Sequence, residues 1–159
     1  MNKKYFVLFA CLVIFCTVLG VLLLSRPKKT RDRIYLSDEY YSEEVGDFIK
    51  TTVEELESLD DDTYLLYIYN DYCKFPIPCD QVFEEFMKAY HIHILSLPFV
   101  EFKETSFYPE VKYAPSIILI QKGKIVTYLD ANSDKDVEKY QKMKKLKEWL
   151  GQYIYLENE

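Results

Sequence analysis

Two cysteines are the residues whose type and spacing point most directly to chemistry. Five residues separate Cys73 from Cys79, and two of them are Pro76 and Pro78. A segment this short can bring two Cα atoms within about 4.4–6.8 Å, the separation that a disulfide needs. In disulfide exchange, a thiolate attacks a disulfide sulfur and a second thiol resolves the mixed disulfide. The spacing leaves three interpretations open, namely a redox-active pair, a structural disulfide and two unlinked thiols.

The elements on either side of the pair would position it. Residues 63–69 (TYLLYIY) form a nearly continuous apolar run, typical of a central strand that is covered on both faces. Pro78 suits the first turn of a helix, where its missing N–H is not needed, and residues 80–90 then form that helix. A helix N-terminus lowers the pKa of a thiol, because unpaired N–H groups favour the thiolate. Cys79 would occupy that first turn and Cys73 the exposed loop, which favours Cys73 as the attacking thiol.

The remaining segments alternate helix and strand. Helices are predicted over residues 43–59 and from about 133 to 153, and strands over residues 91–97, 116–121 and 124–129. Lys122 and Gly123 form a tight turn between the last two strands. A helix between the first two strands implies a parallel pair, and the hairpin adds antiparallel strands. The sequence thus predicts an α/β fold with a mixed four-stranded sheet flanked by helices.

The order of these elements and three short segments resemble the thioredoxin superfamily. Tyr72 and Cys73 follow a buried strand, Cys79 opens the next helix, and residues 113–119 (YAPSIIL) place a proline at the start of a strand. The resemblance covers about the last hundred residues and implies a thioredoxin-like fold with a cis peptide bond before Pro115. It also implies that the loop at Ala114 and Pro115 packs beside the cysteines and receives the backbone of a protein substrate.

Two features depart from the family pattern. The family has C-x-x-C, whereas this chain has C-x5-C, and Tyr67 stands where the resemblance implies a buried acid. Tyr72, Phe75 and Ile77 are expected to be partly exposed beside the cysteines, where they would form an apolar docking surface for a substrate.

An uncharged segment near the N-terminus predicts a membrane anchor, and a cleaved signal peptide is the alternative interpretation. Residues 5–24 contain no charged side chain, and a helix of that length spans about 30 Å, the thickness of a bilayer core. We expect residues 1–4 to be a short tail, 5–25 a transmembrane helix in contact with lipid, 26–42 a basic juxtamembrane linker, and 43–159 the thioredoxin-like domain.

The orientation of that anchor is contested by the sequence. Two lysines precede the segment and five cations follow within nine residues, so the positive-inside rule places the domain in the cytoplasm. The chain also resembles membrane-anchored thioredoxin-like proteins of Gram-positive bacteria of the bacteriocin-accessory type, whose domains face outward. On that resemblance we expect a single-pass protein of the cell membrane with an extracytoplasmic domain.

Charge and composition exclude several classes of protein. Residues 1–33 carry a net +6, which leaves −12 for residues 34–159, since the whole chain of 159 residues has −6. A domain this acidic is a poor nucleic-acid binder. Hydrophobic residues at 49% exclude a disordered chain. No metal site is expected, because His91 and His93 would share a strand face away from the cysteines.

Together these observations predict a membrane-tethered thiol–disulfide oxidoreductase. It would exchange disulfides with secreted or membrane protein substrates through Cys73 and Cys79 and would need no cofactor. The alternative is a non-catalytic thioredoxin-like interaction module in which a Cys73–Cys79 disulfide is structural, so the sequence leaves open whether the chain is an enzyme.

Overall fold

A five-stranded mixed sheet lies at the centre of the computed structural model, which describes residues 32–70 and 76–156. Its strands are β1 (Phe48–Lys50), β2 (Thr63–Tyr69), β3 (Ile94–Pro98), β4 (Ser116–Gln121) and β5 (Lys124–Tyr128), in the order β1-β3-β2-β4-β5. β3 is parallel to both β1 and β2, β4 is antiparallel to β2, and β5 is antiparallel to β4. The mixed sheet is confirmed, and its strand number is five rather than the predicted four.

The additional strand, β1, replaces part of the helix predicted over residues 43–59. Phe48, Ile49 and Lys50 pair in register with Ile94, Leu95 and Ser96 of β3. The helix of this region is α1 (Val53–Glu57), and it begins with a capping box at Thr52. The Thr52 hydroxyl accepts from the Glu55 N–H at 3.2 Å, and the Glu55 carboxylate accepts from the Thr52 N–H at 3.0 Å. The prediction of one long helix was wrong because a distant strand supplies the hydrogen-bond partners of β1.

β2 is the central strand and is covered on both faces. Tyr64, Leu65, Leu66 and Ile68 are at most 1% exposed. Side chains alternate between faces, so Tyr64 and Tyr67 point in opposite directions. The ring of Tyr67 contacts Phe83 of α2 (Cys79–Tyr90), whereas the ring of Tyr64 contacts Tyr40. This burial on both sides confirms the interpretation of residues 63–69 as a central strand.

The predicted C-terminal helix is two helices. A separate short helix, α3 (Phe99–Phe102), follows β3. The two helices that replace the predicted one are α4 (Val137–Gln141) and α5 (Met143–Leu150), and both follow the hairpin. Lys142 separates α4 from α5 with extended backbone angles, φ −142° and ψ 112°. Gln141 is therefore the last residue of α4. The hairpin turn itself is as predicted, since Lys122 and Gly123 have left-handed φ values of 50° and 65°.

The described residues all belong to one compact unit, Asp32–Glu159. The unit begins before residue 43, where the domain was expected to start, because Leu36 and Tyr40 are buried in the core and Ile34 pairs with Ile154. Within residues 32–70 and 76–156, no helix is long and apolar enough to cross a membrane. The predicted anchor, residues 5–25, lies outside the described part of the chain.

Candidate functional site

A cleft of about 530 Å³ lies where β2 ends and α2 begins. Tyr67, Tyr69 and Asn70 line it from β2 and the residue that follows, and Cys79 and Asp80 line it from α2. The cleft thus contains one of the two cysteines that the sequence singled out.

Cys79 is the first residue of α2 and is 1% exposed. Its predicted first-turn position is confirmed, with Pro78 as the N-cap residue. Pro76, Ile77 and Pro78, which lead into the helix, are all exposed. Tyr72, Cys73 and Phe75 lie outside the described residues, so the pairing of Cys73 with Cys79 and the docking surface remain predictions.

The Ala114–Pro115 peptide bond is cis, as the resemblance implied. The side-chain Nδ2 of Asn70 donates to the carbonyl oxygen of Ala114 at 3.3 Å. Asn70 directly follows β2 and precedes the segment that contains Cys73. This hydrogen bond therefore places Ala114 beside the residue that follows β2.

Tyr140 of α4 lies beside the site, in the region that the sequence predicted as a C-terminal helix. Its hydroxyl oxygen is 2.9 Å from the carbonyl oxygen of Pro115 and 2.8 Å from that of Leu129. Burial is the largest cause that raises the pKa of Tyr140 well above its usual value, and nearby Cys79 and Asp136 add to it. The hydroxyl therefore stays protonated at neutral pH, and its single proton can be donated to either carbonyl.

Gln141 makes a second contact from α4 to the site. Its Oε1 accepts from the Ile77 N–H at 3.0 Å, and its Nε2 donates to the Ile77 carbonyl at 2.8 Å. Sequence reasoning missed this residue, because the helix break that follows it has no signal in the local pattern.

Tyr67 occupies the position at which the resemblance implied a buried acid. It is 7% exposed, and its ring contacts Phe48 and Phe83. The carboxylates on the α2 side of the cleft belong to Asp80, which is exposed, and to Glu84, which is half-buried. The buried side of the cleft therefore presents a phenol at this position.

The two histidines do not lie in a strand as expected. His91 ends α2 with a left-handed φ of 52°, and the Nδ1 of His93 accepts from the Asp47 N–H at 3.1 Å. β3 begins only at Ile94. In the part of the chain that the structure describes, no three His, Cys, Asp or Glu side chains are grouped so as to hold a metal ion.

Among known proteins, similarity to this chain is found in solved structures. No family model and no curated protein sequence matches the chain. A mutant thioredoxin from Halobacterium salinarum is 20% identical with a TM-score of 0.46, over 72% of this chain and 96% of that chain. A thioredoxin from Schistosoma mansoni and thioredoxin f2 from Chlamydomonas reinhardtii are each 18% identical with a TM-score of 0.48, over 67% of this chain and 95% of theirs.

At these identities a likeness concerns the fold alone. Within this structure, the helix between the parallel strands β2 and β3, the antiparallel hairpin, and a strand that opens on a cis-proline are the features that the resemblance implied. The fold is thioredoxin-like. Asn70, Cys79 and the cis-proline loop at Ala114 lie at the end of β2 that borders the cleft.

Proposed function

We propose that this chain is a membrane-tethered thiol–disulfide oxidoreductase that acts on secreted or membrane proteins through Cys73 and Cys79. The observation that carries the proposal is the position of Cys79. It opens α2 and borders the cleft, and Asn70, which also borders the cleft, donates a hydrogen bond to Ala114.

The proposed exchange has two steps. The Cys73 thiolate attacks a client disulfide, so that a Cys73–client disulfide forms and one client sulfur leaves as a thiolate. The Cys79 thiolate then attacks the Cys73 sulfur, which forms the Cys73–Cys79 disulfide and releases the second client thiolate. The client is reduced by two electrons and the pair is oxidised by two, and the reverse sequence oxidises a client.

The burial of Cys79 supports this division of roles. A cysteine that is 1% exposed is poorly accessible to a folded client, whereas it can reach a sulfur of its own chain. In this proposal the N-terminal end of the twelve-residue helix stabilises the thiolate that resolution needs, against the cost of its burial. Sulfur chemistry of this kind requires no cofactor.

The membrane-bound location is part of the same proposal. The uncharged segment 5–24 supports an anchor, and the resemblance to the bacteriocin-accessory type supports an extracytoplasmic domain. There, secreted and membrane proteins with disulfides are the available clients.

A non-catalytic interaction module is the second candidate. The observation that favours it is Tyr67, an aromatic residue where the resemblance implied an acid that assists proton transfer. In this alternative a Cys73–Cys79 disulfide would only join the loop to the helix and would add about 2 kcal/mol of stability in the chain-entropy model.

Trapping of a client distinguishes the two candidates. Cells that express Cys79→Ser should accumulate a covalent client complex on non-reducing electrophoresis, because the mixed disulfide is not resolved. Cys73→Ser and the double variant are the matched controls and should trap nothing. If neither single variant traps a client and both only unfold at a lower temperature, the enzyme proposal is wrong and the interaction module replaces it.

The redox potential of the pair provides an independent test. A structural disulfide has a potential below about −300 mV, whereas a working pair lies higher. We expect equilibration of the purified chain with glutathione to give a Cys73–Cys79 potential above that value.

A further inference from the structure

We propose that Gln141 is a positioning residue for Cys79. It holds the backbone of Ile77 and thereby keeps Cys79 shielded from thiol reagents in solution, so that Cys79 reacts with a sulfur of its own chain. The inference rests on the proposed exchange, in which Cys79 resolves the mixed disulfide.

Both polar backbone groups of Ile77 bind the same side chain. Gln141 accepts from the Ile77 N–H at 3.0 Å and donates to the Ile77 carbonyl at 2.8 Å. Its Nε2 also lies 3.1 Å from the Tyr140 carbonyl oxygen. The amide nitrogen thus faces two acceptors and the amide oxygen faces a donor, an arrangement that a flipped amide would not satisfy. Together the two bonds to Ile77 fix the position and the orientation of its peptide groups.

The fixed position of Ile77 restricts the backbone of Cys79, because the connection between them is short. Ile77 is two residues before Cys79, and the residue between them is Pro78, whose ring restricts φ. Ile77 is 39% exposed, whereas Cys79 is 1% exposed. A change in the path of this exposed turn would therefore shift the backbone that leads directly into Cys79.

α4 is itself anchored to the other side of the site. Tyr140, the neighbour of Gln141, lies within hydrogen-bond distance of the Pro115 carbonyl. α4 ends at Gln141, since Lys142 is extended. The last two residues of one short helix therefore contact the cis-proline strand and the turn before Cys79.

The test measures how fast Cys79 reacts with a small reagent. Full-length chain in detergent, with Cys73→Ser so that Cys73 cannot displace the label, is treated with 4,4′-dithiodipyridine, and Cys79 modification is followed by peptide mass spectrometry. Gln141→Ala should raise the rate about tenfold, since two hydrogen bonds of ordinary strength are lost. Gln152→Ala is the matched control, because its Nε2 donates at 2.8 Å to the Glu148 carbonyl. It should change the rate by less than about twofold.

A second variant separates positioning from a general loss of stability. Gln141→Glu keeps the acceptor for the Ile77 N–H but, when ionised, places an oxygen against the Ile77 carbonyl. Its Cys79 should react faster than the parent at pH 7.5 and approach the parent rate towards pH 4.5, where a protonated carboxyl can again donate. This pH profile would not follow from destabilisation of the fold.

Three results would overturn the proposal. They are an unchanged Cys79 rate in Gln141→Ala, an equal increase in Gln152→Ala, and an increase that parallels a lowered thermal unfolding midpoint with no pH dependence in Gln141→Glu. The measurement needs no client, so failure to trap a client contradicts the proposed function without changing these rates.

Discussion

At the scale of single residues, Tyr140 connects the fold to the candidate site. Its phenol is fully buried, and its hydroxyl lies between the carbonyl oxygens of Pro115 and Leu129. Among the described residues, no buried side-chain polar atom lacks a hydrogen-bond partner. The hydroxyl therefore stabilises two strand-end carbonyls that water cannot reach.

Removal of this hydroxyl should destabilise the domain. Tyr140→Phe leaves both carbonyls without this donor, so we expect the free energy of unfolding in urea to fall by about 1–3 kcal/mol. Tyr128→Phe is the matched control, because its hydroxyl makes a long, exposed contact of 3.4 Å with the Glu110 carbonyl. It should change stability by less than about 0.5 kcal/mol. Equal losses in the two variants would contradict the role assigned to Tyr140.

Tyr40 should make the domain sensitive to alkaline pH. Burial, followed by the charges of Asp62 and Glu39, raises the pKa of Tyr40 from 10.0 to about 12. The folded state disfavours the tyrosinate, so its stabilising contribution is complete below pH 10 and is lost as pH rises towards about 12. Unfolding in urea between pH 9 and 11.5 should show this decline.

The same pH series with Tyr40→Phe provides the control. The variant cannot ionise at this position, so its stability should fall less steeply with pH than that of the parent. Parallel slopes for parent and variant would show that Tyr40 does not contribute to the decline.

At the scale of elements, the edge strand β1 depends on a close approach of two backbones. Gly46 is buried two residues before β1, and a Cβ built on it would lie 2.0 Å from the carbonyl oxygen of Ile92. No side chain fits at that distance. The path of the chain into β1 therefore needs glycine at this position for reasons of space.

Gly46→Ala should displace the segment that leads into β1. We expect a loss of about 1–3 kcal/mol in unfolding free energy, the usual range for overpacking. Gly151→Ala is the matched control, since Gly151 follows α5 with a right-handed φ of −62° that alanine adopts readily. Both variants are measured by thermal unfolding, and Gly151→Ala should be neutral or stabilising by up to about 1 kcal/mol. A Gly46→Ala chain as stable as the parent would contradict the close approach.

At the scale of the whole molecule, the chain combines a basic N-terminal part with an acidic domain. Residues 1–33 carry a net +6 and residues 34–159 a net −12. The described unit begins at Asp32, so Arg33, the last cation of the basic part, already belongs to it.

Topology reporters should place the C-terminus outside the cytoplasm. The reasons are the short N-terminus with Lys3 and Lys4 before an apolar segment, and the resemblance to membrane-anchored thioredoxin-like proteins. A C-terminal alkaline phosphatase fusion should be active, and a green fluorescent protein fusion should be dark. The reverse pattern would contradict the proposed location and favour unlinked thiols in a reducing compartment.

Local sequence was sufficient for the elements whose signals are local. The strand bounds predicted at 63–69 and 116–121 and the turn at Lys122 and Gly123 agree with the structure, and the helix after Pro78 begins one residue earlier than predicted, at Cys79. Continuous apolar runs, turn residues and a proline at a helix start carry their information within a few neighbouring positions. The cis peptide bond before Pro115 was implied by the resemblance and is confirmed, whereas the packing of this loop beside Cys73 stays a prediction.

The tertiary structure alone decided the features whose partners lie far along the chain. β1 exists because β3 pairs with it, and the roles of Tyr140 and Gln141 depend on Pro115 and Ile77. The interruption at Lys142 places Gln141 at the end of a helix. The pairing of β1 and the contacts of Tyr140 and Gln141 join residues 25 to 64 positions apart. Helical spacing and apolar runs within a short stretch of sequence do not identify such partners, because the free energy that selects them arises only when the chain has folded.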